Sequence, residues 1–419
     1  MTATTTPLPA TVAASGSEHS RRRVHVVGGG PVGLMVTALL QPLEWLSVVL
    51  YEQRARYTRT RMVHLEPYLI APSVGAYRAI QTDGDDVEAI FDPSEVEQGV
   101  VFRRSIPPDL MSLLEEWTVG FCPLNDIEQS LSDLIAARAS NPVEHSASTV
   151  SAQDIMTVIE PDDIVIDCTG RKSLLRDWLV PASETSNADG NTVNVELEFA
   201  LVVTFLYDQN YSCNELCKYY KNAENPHYKF IPSVARTSHD GNVSHVTGII
   251  HITSDEAAAM PPHFDGEWLR GNFPEAAGSM ERFIDKIKAE THGEIIGDLQ
   301  VICIPLNLYR ARNATSRLYR TAESVDHPFA HSPVFLVGDS AVGSPYFQSI
   351  SLGFECAMYL ASLVAQPGLP TGEMLDLYET HTYKQWLRVY MRSKMIKHDK
   401  DVFEAVDDRY ALLELIHLY

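Results

Sequence analysis

The chain has 419 residues, 45% of them hydrophobic, which suffices for two or three domains with a sizeable core. Its formal net charge of -22 opposes binding to nucleic acid or to anionic membranes, since both call for concentrated positive charge. The six cysteines are scattered without zinc spacing, and no apolar run approaches the ~18 residues of a membrane helix, so free thiols in a reducing, cytoplasmic setting are expected.

Residues 1–23 are rich in Thr, Ala, Ser and Pro and lack the apolar middle of a secretory signal. They read as a disordered tail, with Arg21 to Arg23 a solvated lead-in. Val24-His25-Val26-Val27 then runs as a strand into Gly28-Gly29-Gly30-Pro31-Val32-Gly33, the spacing G-x-G-x-x-G, and a helical pattern follows. A second apolar strand, Ser47 to Tyr51, ends in Glu52. Gly28 permits a tight turn, Gly30 lets the backbone approach a pyrophosphate, and Gly33 lets helix and strand pack closely. The helix N-terminus favours the phosphates, and Glu52 is placed to accept from a ribose diol. This stretch predicts a dinucleotide site.

Four arginines follow Glu52 within nine positions, at 54, 56, 59 and 61. Among them and their neighbours, Gln53, Arg54 and Arg61 are candidates to reach adenosine or phosphate oxygens, the planar guanidinium fork being suited to this. Leu69 to Ile80 reads as helix, residues 81–100 as an acidic surface excursion, and Asn125 to Ala139 as an amphipathic helix with Ile127, Leu131, Leu134 and Ile135 at helical spacing. Ile164 to Asp167 is a further buried strand, leading into Cys168-Thr169-Gly170.

From 190 to 255 the pattern changes to β-rich runs between polar stretches, as for an inserted antiparallel sheet. Glu267 to Thr291 reads as helix and Leu299 to Pro305 as strand. Pro333 to Ala341 is a late parallel strand that delivers Asp339 at its C-terminal end, the edge where such sheets bind ligands. Leu352 to Val364 and Met374 to Tyr419 are helical in pattern, the latter with an aromatic stripe of Tyr383, Trp386 and Tyr390. The expected fold is α/β. A Rossmann-like parallel-sheet domain (24–185 with 330–370) carries an inserted antiparallel substrate domain (186–329), and a C-terminal helical region (371–419) follows.

Three blocks in order, Gly28 to Glu52, Asp167 to Arg176 and Gly338-Asp339, together resemble the flavin-dependent aromatic hydroxylases, the class A flavoprotein monooxygenases related to para-hydroxybenzoate hydroxylase. The resemblance spans roughly residues 24–365. It implies that the first block binds the ADP half of FAD and that Gly338 and Asp339 bind the ribityl chain and pyrophosphate. It further implies that Pro345 lies over the flavin, that Gly353 falls in a Gly-rich loop beside its ring, and that Asn125 stands where the family places an Arg or Gln on the FAD.

Departures from the family pattern accompany it. A family His is Val342, an Asn after the last glycine is Glu355, and the Asp of the family's Ala-Asp-Gly is Thr169. They leave FAD expected and the use of NADPH or NADH open. Glu355 is the candidate acid–base residue, with a helix N-terminal Glu favoured by the dipole as the alternative. Tyr346, Phe347 and Gln348 are candidates for the wall of a substrate cavity, and His64 with Glu66 are weighed for catalysis against a shared solvated face.

The leading expectation is an FAD-dependent monooxygenase-like enzyme acting on an aromatic or polyketide-type small molecule of secondary metabolism. The alternative is a decalin-forming, Diels–Alder-type cyclase that keeps FAD as structure. A reductase or halogenase, and a non-enzymatic binding protein, are the remaining readings, and no Trp-x-Trp-x-Ile-Pro run supports the halogenase. A small-molecule substrate is expected, with no nucleic acid, membrane or metal as partner.

Overall fold

A computed structural model describes residues 21–59, 62–70, 106–119, 121–181, 191–209, 228, 230–237, 243–319, 326–344, 349–366 and 368–406. The chain enters through β1 (Arg22–Val27), which takes in two of the three lead-in arginines. Val24, Val26 and Val27 are fully buried, as expected of a strand covered on both faces. Then come α1 (Pro31–Leu40) and β2 (Leu46–Tyr51), followed by a two-stranded ladder of β3 (Met62–His64). Next are α2 (Pro108–Thr118), β4 (Phe121–Pro123), α3 (Leu124–Ala137), β5 (Glu144–Ser146), α4 (Ala152–Val158) and β6 (Ile164–Asp167). α3 buries Ile127, Leu131 and Ile135 of the face read from its spacing, leaves Leu134 only partly buried, and also buries Leu124 and Glu128.

The parallel sheet has the order β11-β6-β1-β2-β5, where β11 is Val334–Leu336. Its registers pair Val27 with both Tyr51 and Asp167, and Asp167 with Leu336. β1, β2, β6 and β11 therefore end at one edge, and the residues that follow them, Gly28, Glu52, Cys168 and Val337, emerge side by side. The chain leaves β1 toward β2 and β5 and returns to β6 on the other side of β1. That switch opens a crevice above the strand ends.

The second sheet is antiparallel: β7 (Thr192–Tyr207), β8 (Phe230–Thr237), β9 (Ser244–Ile252) and the long β10 (Ile295–Ala311), closed by β12 (Val342–Gly343) in the order β12-β10-β7-β9-β8. Leu201, Val203, Phe205 and Tyr207 alternate along β7 and bury one face together with Met280, Phe283 and Ile287 of a helix. Between β9 and β10 lie α5 (Ser254–Ala259), α6 (Gly266–Asn272) and α7 (Pro274–Thr291). The single helix expected over 267–291 is thus two. Pro274 forces the preceding residue out of the helical region, and Phe273 sits at φ -133°, ψ 65°. β10 also outruns the strand expected at 299–305, because β7 gives it a long partner.

β12 follows β11 after only a short 3₁₀ turn, so the chain steps directly from one sheet to the other. α8 (Ser349–Val364) and α9 (Thr371–Val406) complete the fold. Phe354, Ala357 and Leu360 of α8 are fully buried in the core of the parallel-sheet domain. The helix expected over 69–80 falls largely outside the described residues, of which 67–70 form a 3₁₀ turn. The acidic stretch at 81–100 lies outside them entirely. Among the described residues no helix is long and apolar enough to cross a membrane. The described cysteines, 122, 168, 303 and 356, are free thiols.

Candidate dinucleotide site

The crevice above the strand ends holds a cavity of about 510 Å³, within the usual range for small-molecule sites. Its floor is Gly28, Gly30, Pro31 and Val32. Its walls include Glu52, Gln53 and Arg54 after β2, Thr149 and Val150 after β5, Thr169 and Gly170 after β6, and Asp339 after β11. The sequence places these residues up to about three hundred positions apart, and the common strand-end edge brings them together.

Each glycine of the first turn has a distinct steric role. Gly28 has φ +99°, and a Cβ there would stand 2.7 Å from the Cys168 carbonyl oxygen. A Cβ on Gly33 would stand 1.8 Å from the Gly28 oxygen, so the start of α1 packs directly on the turn. Gly30 is different. Its backbone is extended (φ -72°), and a Cβ would meet only the guanidinium tips of Arg59 (3.4 Å) and Arg54 (3.7 Å). The bare backbone of Gly30 thus faces the cavity at the N-terminus of α1, under two cations. Such a geometry has the shape and charge to accept a phosphate group. Gly29, which was not singled out from sequence, has no room either: its Cβ would fall 2.6 Å from Cβ of Glu52.

Glu52 is buried at the cavity edge. Arg54 donates to it three times, from the backbone N (2.7 Å) and Nε (3.1 Å) to Oε1 and from Nη2 (2.8 Å) to Oε2. Burial pushes the carboxyl up, but these bonds outweigh it and hold Glu52 below its ordinary value, as an anion. Arg59 is ion-paired with Glu128 of α3. Two buried oxygens in this neighbourhood, Asn125 Oδ1 and Glu128 Oε2, have no hydrogen-bond partner among the described residues.

The opposite wall is organised by Asp167. Its Oδ1 accepts from Thr169 N (2.8 Å), Thr169 Oγ1 (2.6 Å) and Ser340 Oγ (3.1 Å). Its Oδ2 accepts from Ser173 Oγ (2.7 Å) and Leu175 N (2.8 Å). The hydroxyl of Thr169 is therefore used as a brace for this turn. Arg176 donates to the Ser340 carbonyl (2.8 Å), and Tyr309 Oη to the Asp339 carbonyl (2.5 Å), fixing the backbone that carries Asp339. Burial pushes the Tyr309 phenol well up, so it serves here as a neutral donor.

Several expected site residues lie elsewhere. Leu124, not Asn125, faces the cavity from the head of α3, and Asn125 donates to Asp126 instead (2.9 Å). Gly338 has φ +66° and packs on Val32, which makes it a turn residue beside the cavity rather than part of its wall. Gly353 is not in a loop. It lies inside α8, where a Cβ would come within 2.6 Å of Val32, so its bareness lets α8 approach α1. Glu355 is 3% exposed and lies in the α8–α9 contact, where Arg388 donates to it through Nη2 (2.6 Å) and Gln385 through Nε2 (2.9 Å). A carboxylate so engaged is structural, which corrects the acid–base expectation. Arg61, Pro345, Tyr346, Phe347 and Gln348 lie outside the described residues, as does the side chain of His64. Among the described residues no cluster could hold a metal ion.

No protein-family model and no curated protein sequence matches the chain. Solved structures do match over nearly its whole length. The Diels-Alderase PyrE3 of the pyrroindomycin biosynthetic pathway is similar at 15% identity and a TM-score of 0.52, covering 94% of this chain and 77% of its own. HpxO of Klebsiella pneumoniae, solved with FAD and uric acid, is similar at 14% identity and a TM-score of 0.51, covering 94% and 93%. The parallel sheet with its inserted antiparallel sheet is common to them and to this chain. The likeness is one of fold: a parallel sheet carrying an inserted antiparallel sheet, the architecture expected from the sequence.

Proposed function

We propose that the protein is an FAD-binding, monooxygenase-like enzyme acting on an aromatic or polyketide-type small molecule in secondary metabolism. The observation that carries the reading is the bare backbone of Gly30 at the α1 N-terminus, facing a cavity beneath Arg54 and Arg59 with Glu52 at its edge. Gly28, Gly30 and the two arginines would hold the pyrophosphate, Glu52 the ribose diol, and Asp339 the ribityl side. When bound, FAD would supply two-electron redox chemistry. The chain's own part is to bind, orient and exclude water. The Asp167 network and the Tyr309–Asp339 bond keep the cavity wall rigid for that task. The residues 24–185 with 330–370 would form the cofactor domain, 186–329 the substrate domain and 371–419 the C-terminal helical region. A cytoplasmic setting belongs to the same reading.

A second reading is a non-redox cyclase for which FAD is structural. Two observations favour it. Thr169 stands neutral where the family's Asp helps arrange nicotinamide access, and its hydroxyl is committed to Asp167. Glu355 is tied to Arg388. The similar structures accord with both readings, since one is a Diels-Alderase and the other was solved with FAD and uric acid. Purification followed by heat denaturation tests the shared premise: FAD should be released, or should bind when added. A protein that neither carries nor takes up FAD would end both readings.

A further inference from the structure

α3 presents an apolar face of Ile127, Leu131 and Ile135 to the core, yet Glu128 is buried on the same helix with 0% of its side chain exposed. Burying a carboxylate costs several kcal/mol unless it is paired, so its partners explain its presence. Oε1 takes an ion pair from Arg59 Nη2 and lies 3.5 Å from Arg54 Nη1. Both arginines belong to the segment after β2, 69 or more positions away, and both guanidinium tips stand over Gly30. The backbone of Arg59 is fixed as well, its carbonyl accepting from the N–H of Asn125 at the head of α3 (2.9 Å). One helix therefore holds this segment by main chain and side chain together.

We propose that Glu128 is a positioning residue for the diphosphate of the bound dinucleotide, acting through Arg54 and Arg59. The inference rests on the dinucleotide reading above and assigns a specific device to it. Long arginine side chains lose considerable rotamer freedom when they clamp an anion. Glu128 takes that loss in advance by pairing with Arg59 and flanking Arg54, which Glu52 also holds, over Gly30, the glycine of the first turn whose backbone is bare. Its charge also opposes a second anion nearby, and the proposal is that the gain in order is the larger effect.

The test is ADP binding to flavin-free protein, measured by calorimetry, with ligand-free melting as a check on folding. Glu128→Ala should bind ADP about tenfold more weakly than the parent, and Glu128→Gln, which retains an acceptor oxygen, should lose less. In an Arg54→Gln/Arg59→Gln background, Glu128→Gln should cause no further change, because its route to the ligand is gone. A merely structural carboxylate would weaken binding equally in both backgrounds, and that result would overturn the proposal. So would Glu128→Gln binding as tightly as the parent or more tightly, the sign that charge repulsion prevails. If Glu128→Ala does not fold, the Gln series decides alone. Failure of the parent to bind either ADP or FAD would end the dinucleotide reading itself, a different result from any of these.

Discussion

Asp167 and Ser340 are 173 positions apart, and the Ser340 hydroxyl donates to Asp167 Oδ1 at 3.1 Å while accepting from the N–H of Gly170 at 3.0 Å. This bond joins the turn after β6 to the turn after β11, the two segments that bring Gly170 and Asp339 to the cavity. Asp167 is fully buried, and the groups bonded to its carboxylate are all donors. Asp167→Asn would turn an amide NH₂ toward donors and leave at least one of them unpaired. It is expected to cost about 3 kcal/mol. Urea unfolding of the two proteins checks this, and a difference within experimental error would show that the network is not structural.

Gly30 and Gly33 should separate binding from folding. At Gly33 a side chain meets main chain at 1.8 Å, so Gly33→Ala must displace α1 from the turn and should cost about 3 kcal/mol or more. At Gly30 a side chain meets only the guanidinium tips of Arg59 and Arg54, at 3.4 and 3.7 Å, and open cavity. Gly30→Val should therefore melt like the parent and lose measurable FAD and ADP binding, because it fills the space a phosphate would take. Retained binding in folded Gly30→Val would exclude the cradle.

Arg388→Ala would strand the buried carboxylate of Glu355 and is expected to destabilise the protein by about 3–5 kcal/mol. Glu355→Gln removes the charge while keeping the shape, so its cost should be smaller. Its pH–rate profile should match that of the parent, since the carboxylate faces α9 and not the cavity. A lost limb in that profile would restore Glu355 to the chemistry.

The first βαβ unit was legible because every signal in it is local: a strand, three glycines, a helix and an acid within 29 residues. The late strand that leads to Asp339 was legible for the same reason, though it ends at Leu336 and a 3₁₀ turn carries Asp339. What escaped is long-range. Nothing in the sequence of α3 says that its buried Glu128 meets Arg59, or that Asp167 is the hub of five hydrogen bonds rather than the end of a strand. Glycine alone could not distinguish Gly30, which is bare to a cavity, from Gly353, which is bare to a neighbouring helix. The break at Pro274 was legible in principle, since the residue before a proline avoids the helical region.

Glu52 gives a pH prediction with a definite sign. Its folded-state pKa lies below the ordinary value of 4.5 because the hydrogen bonds from Arg54 outweigh the opposing effect of burial. Such a group stabilises the fold above 4.5, and that contribution is lost as pH falls below it. The parent should therefore lose stability in acid more steeply than Glu52→Gln, and the two denaturation curves should converge toward low pH. Parallel curves over the whole acid range would mean that the Arg54–Glu52 pair contributes nothing.

The final prediction concerns whether the flavin is used. A hydroxylase must admit a nicotinamide as well as its substrate. Here the family's Asp is a neutral Thr169 bound into the Asp167 turn, and the family's His is Val342, buried in β12. Flavin reduction by free NADPH or NADH is accordingly expected to be slow, even with substrate present. Two assays separate the readings. In the first, candidate polyene and aromatic substrates are incubated without oxygen and without NAD(P)H. Product formed there would require no electrons from outside, and the monooxygenase reading would fall. In the second, NADPH oxidation and oxygen uptake are followed together. Rapid, substrate-stimulated and coupled consumption would remove the cyclase, and with it the expectation of slow reduction. An oxidised protein with FAD that turns over anaerobically would then need only to fold a flexible chain so that its ends meet, an orientation effect worth several kcal/mol of barrier.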